Sequence, residues 1–231
     1  MLIPYPQNRR GYTKLDWLES YHTFSFADFY DAERMGVSVL RVINDDVIHG
    51  GGGFGTHPHR DMEIVTYMVD GTIAHRDSIG HTETIRAGEV QRMTAGSGIA
   101  HSEFNASPDR SLRLLQIWIK PAQLGLPPSY EQKDIEPRDG VTWIASGDHT
   151  SGTLHIHQDA RIARVRGAGE HTLPLANNRL GFLQVVHGTA TISGNALQVG
   201  DAVAVVDEDN PQLQLAPDSE VLWFDLPALK H

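Results

Sequence analysis

Short apolar stretches, each closed by a turn rich in glycine, run through most of this chain, and they occur twice in the same order. Val185-Val186-His187-Gly188-Thr189-Ala190-Thr191-Ile192 repeats Met68-Val69-Asp70-Gly71-Thr72-Ile73-Ala74-His75. Leu197-Gln198-Val199-Gly200-Asp201-Ala202-Val203-Ala204-Val205 repeats Ile85-Arg86-Ala87-Gly88-Glu89-Val90-Gln91-Arg92-Met93, and Leu222-Trp223-Phe224-Asp225-Leu226-Pro227 repeats Gln116-Ile117-Trp118-Ile119-Lys120-Pro121. Short strands at close, regular spacing indicate a β sandwich or barrel. A repeat of whole strand groups indicates two copies of one such unit. The expected fold is therefore all-β, with two tandem β-barrel domains over 1–132 and 133–231 and few short helices. The 231 residues are ample for two such cores.

Within the first copy, strands are predicted over 37–43, 62–69, 72–77, 82–86, 90–93 and 112–120. Asp70-Gly71 is a tight-turn dipeptide, and Asn44-Asp45-Asp46 reads as a turn. The proline-containing stretch 121–152 reads as a linker between the domains. Residues 22–27 alternate, which places His22, Phe24 and Phe26 on one face of a strand. The simpler reading is a core strand; the functional one is a pocket wall for a flat aromatic ligand, with His22 handling a proton.

Two stretches of the first copy concentrate metal-binding side chains. One is Gly51-Gly52-Gly53-Phe54-Gly55-Thr56-His57-Pro58-His59 and the other Gly96-Ser97-Gly98-Ile99-Ala100-His101-Ser102-Glu103. Residues two apart on a strand point to the same side. His57 and His59 can thus aim at one point, and so can His101 and Glu103. If the strands are neighbours, the points coincide. Three imidazoles and a carboxylate suit a divalent first-row transition metal with positions left open. Glu63, an even number of residues from His59, is not excluded by parity, and stands as an alternative carboxylate or as a group that fixes an imidazole tautomer. The second copy carries Asp207-Glu208-Asp209-Asn210-Pro211-Gln212 where the first carries the second stretch, so it is expected to hold no metal. His155 and His157 repeat the two-residue spacing without a downstream pair and read as ordinary strand histidines. The glycines before Phe54 lack both the Lys-Ser/Thr of a phosphate loop and a partner Gly-x-Ser-x-Gly turn. Their expected role is a bend that delivers His57.

The absence of cysteine excludes disulfides and thiolate ligands. With 29 acidic against 19 basic residues the formal net charge is -10, which argues against direct nucleic-acid binding. No apolar run is long enough to span a bilayer, and the N-terminus lacks the pattern of a signal peptide. The expectation is a soluble, cytoplasmic monomer.

These residues resemble the cupin superfamily. Gly51, His57, His59, Glu63 and Gly71 fit its first motif, and Gly88, Gly96, His101 and Asn105 its second, with Thr94 in place of the usual proline. Within that superfamily they resemble the pirin family more specifically. The marks are Trp17 with His22-Thr23-Phe24-Ser25-Phe26, Leu40-Arg41-Val42-Ile43-Asn44-Asp45-Asp46, Phe54-Gly55-Thr56-His57-Pro58-His59, Asp61-Met62-Glu63 and Gly98-Ile99-Ala100-His101-Ser102-Glu103. The resemblance implies a bicupin (double-stranded β-helix, or jelly-roll, domains) with one metal in the N-terminal domain, held by His57, His59, His101 and Glu103. It implies Fe(II) as the metal, with Mn, Ni, Cu, Co and Zn as alternatives. It also implies an oxidoreductase of the quercetin 2,3-dioxygenase type, acting on a flavonol and O2 and releasing CO, with Glu103 or Glu63 as the base. The alternative it implies is a metal- and redox-sensing regulator acting through a protein partner.

Overall fold

The protein, seen in a computed structural model that describes residues 1–228, is built of strands. The only helical element among those residues is a 3-10 turn at Gln7–Arg9. Each half is a two-layer sandwich rather than a closed barrel. In the first, a seven-stranded sheet runs in the spatial order Ser129–Asp134, Glu89–Thr94, Glu63–Asp70, Leu112–Ile119, Leu40–Ile48, Leu18–His22, Gly11–Leu15. Its partner is a four-stranded sheet in the order Gly53–His59, Ile99–Asn105, Thr72–Asp77, Thr82–Arg86. The second half repeats this. Its larger sheet runs Leu2–Tyr5, Ala202–Val205, Arg179–His187, Glu220–Pro227, Arg161–Arg166, Gly140–Ser146, Leu154–His155. Its smaller sheet runs Gly169–Thr172, Gln212–Leu215, Thr189–Ile192, Asn195–Gln198.

The central strands read as nearly continuous apolar runs because both of their faces are buried. Along Leu112–Ile119, Leu112 and Leu114 enter the core of the first sandwich. Leu115, Ile117 and Ile119 instead join Val65 and Tyr67 in a cluster shared with Phe182, Leu222 and Phe224 of the second domain. The two large sheets thus pack on one another.

Several expectations need correction. Asn44, Asp45 and Asp46 form no turn but lie inside Leu40–Ile48. Side-chain partners replace solvent there: His22 and Ser20 for Asn44 and Asp46 on one face, Arg113 and Arg10 for Asp45 on the other. The alternating segment 22–27 is not a strand beyond His22. The stretch 121–152 contains two strands, Ser129–Asp134 and Gly140–Ser146. The domains also exchange segments across the division at 132/133: Ser129–Asp134 extends the first domain's large sheet, and Leu2–Tyr5 extends the second's. The third repeat match slips by one residue. Gln116 pairs with Thr66, whereas Trp223 pairs with Leu183, the counterpart of Thr66, so Gln116 corresponds to Trp223 and not to Leu222. A one-residue slip moves every side chain to the other face.

Candidate metal centre

Ile99–Asn105 lies between Gly53–His59 and Thr72–Asp77, and its pairing sets the site. His101 is directly opposite His57 on one side and Asp77 on the other, while Glu103 is opposite His75. A bulge between His101 and Glu103 shifts the register against Gly53–His59. Gly53 allows the close approach, since a Cβ there would stand 2.5 Å from the carbonyl oxygen of Glu103.

The Nε2 atoms of His57 and His59 lie 3.1 and 3.0 Å from Nε2 of His101. His57 donates its Nδ1–H to the carbonyl of Gly55 at 2.8 Å, which leaves a lone pair on Nε2. Burial, with the neighbouring imidazole second, pushes His59 down to about 4. Burial followed by the other histidines pushes His101 down to about 2. Unprotonated imidazoles facing one another are a donor set for a transition metal, so the residues fit the metal expected.

Glu103 is fully buried beside this triad. It accepts hydrogen bonds from Gln91 Nε2 at 3.1 Å and Gln116 Nε2 at 2.9 Å. Burial and then the charge of Asp46 raise its carboxyl to about 7. Glu103 brings an oxygen within 4.8 Å of ligand atoms of His101 and His75, while His57, His59 and His101 form a separate set. Three of the four expected ligands therefore face one point, and Glu103 stands next to it.

An apolar cavity of about 310 Å³ opens onto His57, His59 and Glu103, with Leu15, Leu18, Phe26, Phe54 and Trp118 in its wall. His22, Asn44, Asp46 and Gln116 form its polar side. Burial pushes the imidazole of His22 below its ordinary value, and its two nitrogens meet Asn44 Oδ1 at 2.8 Å and Thr13 Oγ1 at 2.9 Å. Two expected site residues are elsewhere. Phe24 packs on Tyr5 and Phe182 in the core between the domains, because the strand ends before it and parity no longer holds. Glu63 shares a face with Val65 and Tyr67, opposite Thr66, and so points away from the cavity. It accepts from Thr94 Oγ1 at 3.1 Å and lies 3.4 Å from His157 Nδ1 of the second domain.

Asp46, His75, Asp77 and Trp118 were missed as site residues. The repeat holds the signal for His75, whose counterpart is the buried core residue Ile192. The same comparison shows what stands at the equivalent place in the second domain. Thr66, His75, Gln91, Glu103 and Gln116 correspond to Leu183, Ile192, Val203, Leu213 and Trp223, all in one apolar cluster. The space that is polar in the first sandwich is closed by hydrocarbon in the second.

Fold and side chains define a two-domain cupin with a histidine-lined candidate metal centre in its N-terminal domain. The pirin family model matches residues 6–119, and the model described as quercetinase C-terminal cupin domain matches 143–226. A protein of Escherichia coli K12 named quercetin 2,3-dioxygenase is 47% identical over 222 residues, 95% of this chain and 96% of its own. A Pasteurella multocida protein named putative quercetin 2,3-dioxygenase is 41% identical, covering 94% and 95%. The crystal structure of the Escherichia coli bacterial pirin YhhW in complex with nickel(II) superposes with a TM-score of 0.95 at 45% identity, covering 99% of this chain and all of that one. The chain belongs to the pirin family.

Proposed function

We propose that the protein is a metal-dependent dioxygenase that opens the flavonol ring of quercetin-like substrates with O2. Both oxygen atoms enter the ring-opened product, and ring carbon C3 leaves with its own oxygen as CO. The observation that carries this reading is an apolar cavity ending on His57, His59 and the buried carboxyl of Glu103, with His101 grouped with those two histidines. The names of the relatives support it.

His57, His59, His101 and Glu103 are the proposed ligands, with iron(II) the metal proposed for this chain and nickel(II) the one recorded with its relative. A divalent metal there supplies Lewis acidity toward the 3-hydroxylate and a redox route to O2. Glu103, the buried carboxyl at the end of the cavity, takes the proton of the 3-hydroxyl. Gln91 and Gln116 hold that carboxylate in place. Trp118 and Phe26, edge to face at 5.5 Å, wall the cavity and hold a flat ring against His59. Their apolar surface keeps water from the opening ring. No observation favours a regulator that acts through protein partners.

Elemental analysis of protein purified without added metal comes first, followed by oxygen uptake and CO release with quercetin. The expected result is turnover that needs the metal, lost in His57→Ala and reduced at least about 100-fold in Glu103→Gln. Metal-loaded protein that consumes no O2 with flavonols overturns the reading.

A further inference from the structure

His101 is bound on both sides. Its Nε2 faces His57 and His59, and its Nδ1 lies 3.5 Å from Nδ1 of His75. Among the described residues neither Nδ1 has another hydrogen-bond partner. Nε2 of His75 lies 3.1 Å from Oδ2 of Asp77, and both side chains are completely shielded from solvent. The other oxygen of Asp77 accepts the backbone N–H groups of Ile79 and His81, each at 3.0 Å.

This chain of contacts has one consistent proton assignment. Asp77 is a carboxylate held by two main-chain donors, and its Oδ2 also lies 3.1 Å from Nδ1 of His81, so toward His75 it can only accept. Nε2 of His75 then carries the hydrogen, and its Nδ1 carries a lone pair. That lone pair accepts Nδ1–H of His101, so the lone pair of His101 is on Nε2, facing the other two histidines. The opposite tautomer of His101 would put a hydrogen where a ligand is needed.

We propose that Asp77 and His75 are positioning residues that lock His101 in the Nδ1–H tautomer, so that its Nε2 is ready to bind the metal. His75, which shares a triad with His101 and Glu103, is thereby assigned to support and not to ligation. The inference rests on the metal-centre reading above, but it concerns the protein before any metal or substrate arrives. In the second domain Ile192 stands in place of His75, next to a site with no histidine to orient.

Asp77→Asn is the sharp test. The two main-chain donors keep the amide oxygen on their side, which turns the NH2, with its two hydrogens, toward both His75 and His81. Nε2 of His75 must then accept, its Nδ1–H donates to His101, and the hydrogen of His101 moves to Nε2. Long-range 1H–15N spectra of the imidazoles, recorded on metal-free protein, read these tautomers directly. In the wild type, His75 is expected as Nε2–H and His101 as Nδ1–H; either found in the other form overturns the proposal without any variant. In Asp77→Asn, His101 is expected to switch to Nε2–H and the affinity for Co(II) to fall about 10–100-fold, the usual cost of losing such a supporting group. A variant that keeps its tautomers, or that switches them and binds Co(II) as before, overturns it. Correct tautomers in a protein that does not oxidise quercetin would remove the dioxygenase and leave the relay intact.

Discussion

Glu103 and Asp46 are two buried carboxyl groups on the same cavity, and burial is the main reason each holds its proton so high. Asp46 is held by Ser20 and stands at about 7. In the folded, metal-free protein both groups keep their protons up to about 7, whereas in the unfolded chain they lose them near the ordinary value of about 4. Between those limits each of these two groups binds more protons in the folded state, so its own contribution to stability falls as pH rises from about 4 to about 7, while His59 and His101, pushed down by burial, contribute in the opposite sense. For Asp46 alone, whose carboxyl moves from 3.8 to about 7 on folding, the swing is on the order of 4 kcal/mol at most. The Tm of metal-free wild type minus that of Asp46→Asn, measured across this range, is expected to fall as pH rises, because the variant isolates the part that Asp46 contributes. A difference that stays flat or climbs between pH 4 and 7 would show that Asp46 is ionised in the fold.

At the scale of the strand, the site depends on how closely Gly53–His59 can approach Ile99–Asn105. A Cβ on residue 53 would lie 2.5 Å from both the carbonyl oxygen of Glu103 and Cα of Phe104. Gly53→Ala is expected to cost about 1–3 kcal/mol as the strands part and to weaken nickel(II) binding, because His57 is carried on the displaced strand; calorimetry and a metal titration read the two effects. Equal Tm and equal affinity would mean that the pairing tolerates the methyl. The same strands show what period-two reading can and cannot supply. It put His57 with His59, and His101 with Glu103, on one face each, since alternation within one strand needs no knowledge of the rest; that the two strands are neighbours comes from the pairing. It could not decide which face of Glu63–Asp70 meets the cavity, because both faces are buried and both are largely apolar; Glu63 and Thr66 differ only in parity. Asn44-Asp45-Asp46 has the composition of a turn, and only partners distant in sequence, Ser20, His22 and Arg113, make it a strand. His75 and Asp77 carried the alternation in plain view, on the inward face with Ile73. Their function became visible only when the pairing set them beside His101 and Glu103.

Across the whole molecule, the two domains are a controlled comparison of one sandwich with and without a polar centre. Thr66, Gln91, Glu103 and Gln116 form a buried hydrogen-bonded group in the first domain, where the second domain buries Leu183, Val203, Leu213 and Trp223. Burying a carboxyl and its amide partners is at best neutral against apolar residues of similar volume, and replacing such groups often stabilises by about 1–4 kcal/mol. The polar set in the first domain is therefore retained at the expense of stability, which is the expected signature of a working site. Replacing it as a unit tests this: Thr66→Val, Gln91→Leu, Glu103→Leu and Gln116→Leu together keep the volume and leave no member of the group unpaired. The combined variant is expected to have a higher Tm than metal-free wild type, to lose the fall in stability between pH 4 and 7 that Glu103 contributes, and to give no turnover of quercetin. Glu103→Leu alone is expected to do worse than the combination, because it strands the amides of Gln91 and Gln116. If the combined variant melted below the wild type, the polar group would be holding the first sandwich together, and its difference from the second domain would be a matter of folding and not of chemistry.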